Sequence, residues 1–303
     1  MKRLPFCALI LAGVCWGVGF PLGKLALREI DAAHMVLLRF GVAALCALPF
    51  ALRSAATRGL FRSPVVLLAG ALYGVAFLVQ FEGLARTSVT LAALLVGAMP
   101  ALIALAARLL GEPVSRTSWV GVAGATAGAA LIAGRPGAAG SPMGVILCLG
   151  ALPIFLGWLF VSRRAPTTDP RDPAAAIPAM AVPAATVIIA ALTILPIALV
   201  MHGPPRLNLS PAAWAGIVGQ GAFSTLLATA AWQYGVTRVG AASAGVFINI
   251  EPLMGAAIGA ALFGDQITVS MGLGGLMIIL GSTVVVLGER GLSAPLPALA
   301  EAP

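Results

Sequence analysis

Charge is what this 303-residue chain has least of. Only 9% of its residues are Asp, Glu, Lys or Arg, ten acidic and eighteen basic in all, whereas a soluble domain is about a quarter charged. So few charges cannot clothe a soluble fold of this length. Histidine is scarce too, with two residues. Cys7, Cys15, Cys46 and Cys148 all lie inside apolar stretches and read as small buried hydrophobes. Their spacing suggests neither a disulfide framework nor a metal site. The sequence carries no phosphate loop, dinucleotide fingerprint or metal constellation. No cofactor or metal is therefore expected, and direct ATP coupling would need a separate subunit. A membrane-embedded enzyme needs His, Asp, Glu or Cys clustered at one face, and the scattered carboxylates do not supply that cluster.

What is present is apolar. Hydrophobic residues make up 60% of the chain and the mean hydropathy is +1.04. A bilayer crossing takes about 20 apolar residues, so ten crossings with short loops fit the length. Breaking the chain at charges and Pro/Gly clusters gives segments at approximately 5–23, 33–52, 64–84, 88–110, 117–134, 143–162, 177–201, 211–234, 240–263 and 269–288. They are expected to be helical, since lipid offers the backbone no other partner and no strand alternation is visible. Lys2-Arg3 before an apolar run resembles a signal peptide, but the run is long enough to span and is expected to be retained as the first crossing. The tail 291–303 is expected to be a disordered cytoplasmic segment.

The net charge of +8 and the pI near 10.4 point to cytoplasmic loops against anionic lipid rather than to nucleic acid. With the N-terminus inside, Lys2, Arg3, Arg53, Arg58, Arg62, Arg108, Arg116, Arg163, Arg164, Arg171, Arg238 and Arg290 fall on the cytoplasmic side. Lys24, Arg28, Arg86, Arg135 and Arg206 fall outside, so the positive-inside rule places both termini in the cytoplasm.

An ordered echo runs through the chain. Gly83, Arg86 and Pro100 recur 152 residues later as Gly235, Arg238 and Pro252; Gly111-Glu112, Gly121 and Gly128 recur at 153 as Gly264-Asp265, Gly274 and Gly281. The echo divides the chain into five-helix repeats at 1–137 and 138–290. An odd number of crossings turns the second copy upside down. The expected fold is thus an all-α integral membrane protein of ten transmembrane helices, two inverted five-helix repeats around a central cavity, the architecture of many alternating-access carriers. Both repeats reside in one chain, so a monomer is expected to suffice.

Pro100 and Pro252 each lie near the middle of a predicted span, where proline removes a donor and frees the carbonyl four residues back, at Val96 and Ile248. Matching interruptions mark a midplane binding site or are kinks needed for packing. Glu251, beside Pro252 and two residues after Asn249, is a mid-span carboxylate. Such a group costs about 2.5–3.5 kcal/mol on insertion scales, so it is expected to face a cavity or a partner. Two readings of Glu251 stand: it binds a substrate ammonium or carries a proton, or it steadies the proline break. Arg39 lies five residues past His34, so its stem is expected to snorkel outward as an anchor, the alternative being a ligand for a substrate carboxylate. Gln80 and Glu82 approach the outer end of span three, as vestibule or as interface. His34 and His202 sit at predicted span ends, which disfavours a histidine proton relay. Tyr73, Phe77, Trp158, Phe223 and Phe247, with Trp16 of the first span, are candidates for an aromatic cavity wall or for packing. Trp214 and Trp232 read as interfacial-belt residues. The small-residue steps Gly13/Gly17, Gly70/Gly74, Gly124/Gly128 and Gly255/Gly259 allow close helix approach.

Taken as a set, several motifs match one family. They are Trp16-Gly17 with Phe20 and Lys24; Leu38-Arg39-Phe40-Gly41; Met99-Pro100 through Gly111-Glu112; and Glu251-Pro252 through Gly264-Asp265. Over about residues 5–288 the chain resembles the bacterial drug/metabolite transporter superfamily, specifically its ten-span EamA-type branch. The resemblance implies a multi-pass inner-membrane carrier of small metabolites, and the chain is similar to exporters of aromatic and neutral amino acids in that branch. A carrier of another class of small molecule, such as a drug, sugar or nucleotide precursor, is the alternative. Four-span drug antiporters of the superfamily use a carboxylate in their first span, and this chain has none there.

Overall fold

An apolar backbone in hydrocarbon must close its hydrogen bonds within each segment, and the computed structural model of this protein is accordingly almost all helix. It describes residues 3–52, 55–109, 111, 113–134, 140–162, 164–166, 168–169, 172–178, 180–239 and 245–290. The helices are α1 (Leu4–Ala26), α2 (Ala32–Leu52), the short α3 (Ala55–Gly59), α4 (Pro64–Ala85), α5 (Val89–Val96), α6 (Met99–Leu109) and α7 (Arg116–Gly134). After these come α8 (Pro142–Ser162), α9 (Ala181–His202), α10 (Pro211–Gly219), α11 (Ala228–Val239), α12 (Ile250–Phe263) and α13 (Val269–Arg290). A π-helical segment, Gln220–Leu227, joins α10 to α11, and a 3-10 turn, Gly245–Asn249, precedes α12. A two-stranded antiparallel hairpin, Thr168–Asp169 with Asp172–Ala176, occupies the α8–α9 connection, where the sequence predicts only loop. The predicted junction at 137/138, Glu112, the basic residues Lys2, Arg53, Arg135, Arg163 and Arg171, and the tail from 291 lie outside the described residues.

Among the described residues, eight helices are long and apolar enough to cross a membrane, and Phe247–Phe263 is a shorter apolar helix. This is a multi-pass membrane protein. Length and composition alone therefore give eight crossings rather than the ten read from sequence. The predicted eighth span is helical from Pro211 through Val239, but polar Gln220, Ser224, Thr225 and Thr229 and the π-turn interrupt its apolar run. Large side chains such as Leu45, Val120, Val200 and Leu262 stay exposed on the outer faces, as hydrocarbon contact requires.

Both proline-marked breaks are present. The fourth predicted span parts at Gly97–Ala98, between α5 and α6, where Pro100 cannot donate to the Val96 carbonyl. The Gly97 carbonyl is answered from outside its own helix by the Ser282 hydroxyl of α13, at 2.5 Å. The five-residue 3-10 turn before α12 marks the second break, and there the Asn249 amide donates to Thr283, one residue further along α13, at 3.1 Å. The two breaks also meet: a Cβ placed on Gly97 would lie 3.4 Å from the Pro252 ring. Helix α13 thus steadies both interruptions.

Small residues set the packing. Gly13 and Gly17 of α1 press against Ile250 and Met254 of α12; Gly70 and Gly74 of α4 against Ile189 and Ala190 of α9; Gly255 and Gly259 of α12 against Ala93 and Thr90 of α5. Gly121 meets the Gly281 carbonyl and Gly128 the Gly274 carbonyl, so α7 and α13 run antiparallel. Helices α5 and α12 also run antiparallel, Thr90 meeting Gly259 and Gly97 meeting Pro252. So do α2 and α9, with His34 on Gly203 at one end and Ala47 and Ala51 beside Ala184 at the other.

The echoed residues occupy similar settings. Gly111 (φ 83°) and Gly264 (φ 67°) both adopt the left-handed conformation that stops α6 and α12, and glycine takes it without a Cβ clash. Arg86 and Arg238 each donate to the carbonyl four residues back, of Glu82 at 2.6 Å and of Tyr234 at 3.0 Å. Gly83 lets α4 approach Cys148 of α8, and Gly235 lets α11 approach Leu9 of α1.

A Cβ on Gly281 would sit 2.5 Å from the Ala125 nitrogen, whereas one on Gly124 would be 3.8 Å from its nearest neighbour. Gly281→Val is expected to destabilise the fold by about 1–3 kcal/mol or more, while Gly124→Ala is tolerated. Thermal unfolding of the two variants in detergent checks this, and equal midpoints would contradict the packing.

Candidate functional site

Helices α1, α2, α4 and α12 and the π-segment converge on a narrow cavity of about 30 Å³. Its lining is Trp16, Gly19 and Phe20 from α1, Arg39 from α2, Phe77, Gln80 and Phe81 from α4, Gln220 and Ser224 from the π-segment, and Glu251 from α12. Ligand pockets run about 300–1,000 Å³, so this one is closed down to about the room of one water molecule and must widen to admit a solute.

Arg39 is the most constrained group here. It is 2% exposed, which corrects the expectation that it snorkels outward. Its guanidinium carbon stands 3.9 Å from the centroid of the Phe77 ring, with Phe81 at 5.3 Å and Phe40 at 5.6 Å. Ring faces stabilise a cation removed from water. Its Nε donates to the Thr225 hydroxyl at 2.9 Å, and that hydroxyl donates to the Gln220 carbonyl at 2.9 Å. The Thr225 to Gln220 bond spans five residues, the π spacing, so the wide turn and the arginine hold one another. The guanidinium Nη1 has no partner.

The π-turn also ties itself to α1. Ser224 donates to the Cys15 carbonyl at 2.6 Å, and the Gln220 side-chain amide donates to the Gly19 carbonyl. That leaves the Gln220 Oε1 buried without a partner. Glu251 faces the same cavity within electrostatic range of Arg39, and no ion pair joins the two among the described residues.

Of the residues singled out from sequence, Trp16, Phe77, Gln80 and Glu251 line this cavity. Trp16 also stacks on Trp232, centroids 5.3 Å apart, so Trp232 is more than the belt residue expected. Tyr73 and Trp158 stand behind the lining, 4.6 Å apart, in an aromatic cluster that continues through Phe40, Phe77 and Phe155. Pro100, Asn249 and Pro252 belong to the helix breaks rather than to the wall. Phe247 packs on Phe6 at 6.0 Å. Phe223 is 55% exposed and points out of the bundle; the π-turn aims its neighbours Gln220 and Ser224 inward and carries Phe223 to the opposite face. Glu82 is taken by Arg86. Sequence reasoning weighed Arg39 first as an anchor, and it missed Gln220 and Ser224. The last two form a polar i, i+4 pair in an otherwise apolar span, which is a legible signal.

At one end of the bundle, Lys24 donates to the Leu84 and Thr87 carbonyls at 2.7 and 2.6 Å, where a cation suits the C-terminus of α4. Asp265 accepts from the Thr90 amide at the start of α5, at 2.8 Å. The same end carries a polar hollow lined by Arg28, Glu29, Asp31, His34, His202 and Arg206. Asp31 caps α2 by accepting from the His34 amide at 3.0 Å, and it meets the His34 Nδ1 at 2.7 Å. Partial burial opposes its ionisation, but the His34 amide, the His34 ring and the nearby His202 outweigh burial and hold the carboxyl below its usual range.

A lowered folded-state pKa gives a contribution that is complete above the unfolded value of about 3.9 and is lost as pH falls through the folded value. Asp31→Ala should therefore lower the unfolding midpoint at pH 7, by roughly the 0.5–2 kcal/mol of a lost helix cap. The gap to the unsubstituted protein should narrow below about pH 4. Thermal scans across that range check this, and a gap independent of pH would contradict it.

Comparison with known proteins adds three findings. The model of a family described as "EamA-like transporter family" matches residues 3–134 and again residues 142–287. One solved crystal structure shares the fold at a TM-score of 0.63 and 18% identity, with 96% of this chain and 99% of the other covered. No curated protein matches the chain significantly.

Proposed function

The chain belongs to the EamA-like transporter family, and we propose that it is a secondary carrier exporting aromatic and neutral amino acids through the Arg39–Glu251 cavity. The single observation that carries the substrate class is the pairing of one buried cation and one carboxylate, unjoined, in a pocket walled by Trp16, Phe20, Phe77 and Phe81. An amino acid offers opposite charges at one end and an apolar or aromatic body at the other, and such a pocket complements both.

Alternating access is supported by the arrangement of the helices. The family model matches twice, on either side of residues 135–141. Helices in corresponding places in the two matched stretches (α2 and α9, α5 and α12, α7 and α13) pack antiparallel, and Gly121 meets Gly281 while Gly128 meets Gly274. In the echo, Gly121 corresponds to Gly274 and Gly128 to Gly281, so each contact is the image of the other. Exchange between two inverted halves about a central site follows from such pairing. On this reading the helix from Pro211 to Val239 and the shorter α12 complete ten crossings. Both termini lie on the cytoplasmic side of a bacterial inner membrane, and one chain is the working unit.

The test is flux of labelled solutes in proteoliposomes containing only this protein. Phenylalanine and neutral amino acids are expected to exchange, and sugars, nucleotide precursors and lipophilic cations are not. Glu251→Gln removes a charge-assisted contact worth about 1.5–3 kcal/mol and should slow amino-acid flux about tenfold or more. Flux of another solute class alone, or an unaltered rate in the variant, would overturn the reading.

A further inference from the structure

Among the described residues, two buried polar atoms at the cavity lack a hydrogen-bond partner, and a half-buried carboxylate beside them lacks an ion pair. The Arg39 Nη1 has no acceptor and the Gln220 Oε1 no donor, and Glu251 is not paired with the arginine. Leaving a buried polar group unsatisfied costs about 1–3 kcal/mol, more for a charged one, so groups kept in this condition at a pocket are poised for something that enters it. The donors and acceptors are also segregated. Arg39 approaches from α2 and supplies only N–H donors. Glu251 approaches from α12 and Gln220 from the π-turn, and their free oxygens accept. A solute matching this arrangement carries an anion and a cationic N–H donor a few bonds apart.

We propose that the cavity reads the head group of its solute by parts. The Arg39 guanidinium takes a carboxylate, and Glu251 with the Gln220 oxygen takes the adjacent ammonium. This rests on the amino-acid reading above and deepens it by assigning atoms. Arg39 can serve as a fixed anchor because its Nε is already committed to Thr225 and its flat face to Phe77. What remains without a partner among the described residues is Nη1, one of the two outer nitrogens of the fork that engages carboxylates. The side chain of the solute then lies against Trp16, Phe20 and Phe81, on the remaining wall of the same cavity.

Binding to the purified full-length protein in nanodiscs, by calorimetric titration, tests the assignment with three probes that share one ring. These are phenylalanine, phenethylamine, which lacks the carboxylate, and 3-phenylpropionate, which lacks the ammonium. The unsubstituted protein should prefer phenylalanine to either truncated probe by about tenfold or more, the worth of one charge-assisted contact. Arg39→Gln should abolish the preference over phenethylamine, and Arg39→Lys should restore part of it. Glu251→Gln should abolish the preference over 3-phenylpropionate; this arm also carries the test should Arg39→Gln fail to fold. If phenylalanine binds and each variant keeps the full preference, the head-group assignment falls and the amino-acid reading stands. If the unsubstituted protein binds none of the probes, both fall.

Discussion

The interior of this protein is arranged around one guanidinium that hydrocarbon would not tolerate by itself. Arg39 is removed from water almost completely, and an isolated charge so placed is costly. The fold answers it in three ways: a hydroxyl on the Nε, a ring against its flat face, and a carboxylate across the cavity. Each partner comes from a different helix, so the arginine constrains how α2, α4, α12 and the π-segment can sit. The π-turn is the clearest case. Its Thr225 hydroxyl accepts from Arg39 while donating to Gln220, a bond that an α-turn would not present at the same spacing.

Much of the architecture was legible because its causes are local. Proline lacks an N–H in any surroundings, so breaks near Pro100 and Pro252 could be placed from sequence. Glycine spaced by four presents a smooth helix face wherever it occurs, and the four steps singled out all lie at helix contacts. Glu251 stood out because a mid-span carboxylate must face something polar. Family resemblance, carried by the Trp16-Gly17, Arg39-Phe40 and Glu251-Pro252 motifs, agrees with the family match.

The misreadings share a different cause. Arg39 was expected at the membrane surface because distance along a helix was counted without knowledge of what packs beside it. Helix α4 and the π-turn cover it and supply the partners that make burial tolerable. Phe223 was a candidate for the cavity wall or for packing because aromatic residues are few, and the π-turn carries it to the outer face. Trp232 looked interfacial from its position near a span end, yet Trp16 reaches it. The short hairpin between α8 and α9 left no alternating pattern to find, since its strands are two and five residues long.

The wide turn at Gln220–Leu227 also bears on the phase of everything after it. Each residue of a regular helix advances about 100° around the axis, but the surplus residue in a π-turn is absorbed by the turn itself. Evolutionary loss of one residue there would let the segment rewind as a plain helix with little backbone strain. Because the wide turn takes up that residue, Trp232 and Gly235 would keep nearly the same phase towards α1, whereas a residue lost elsewhere in this helix would turn them by about 100° and break the contact with Trp16 and the close approach to Leu9 together. The cost of a deletion at the wide turn falls instead on its own contacts, Thr225 on Arg39 and Ser224 on Cys15.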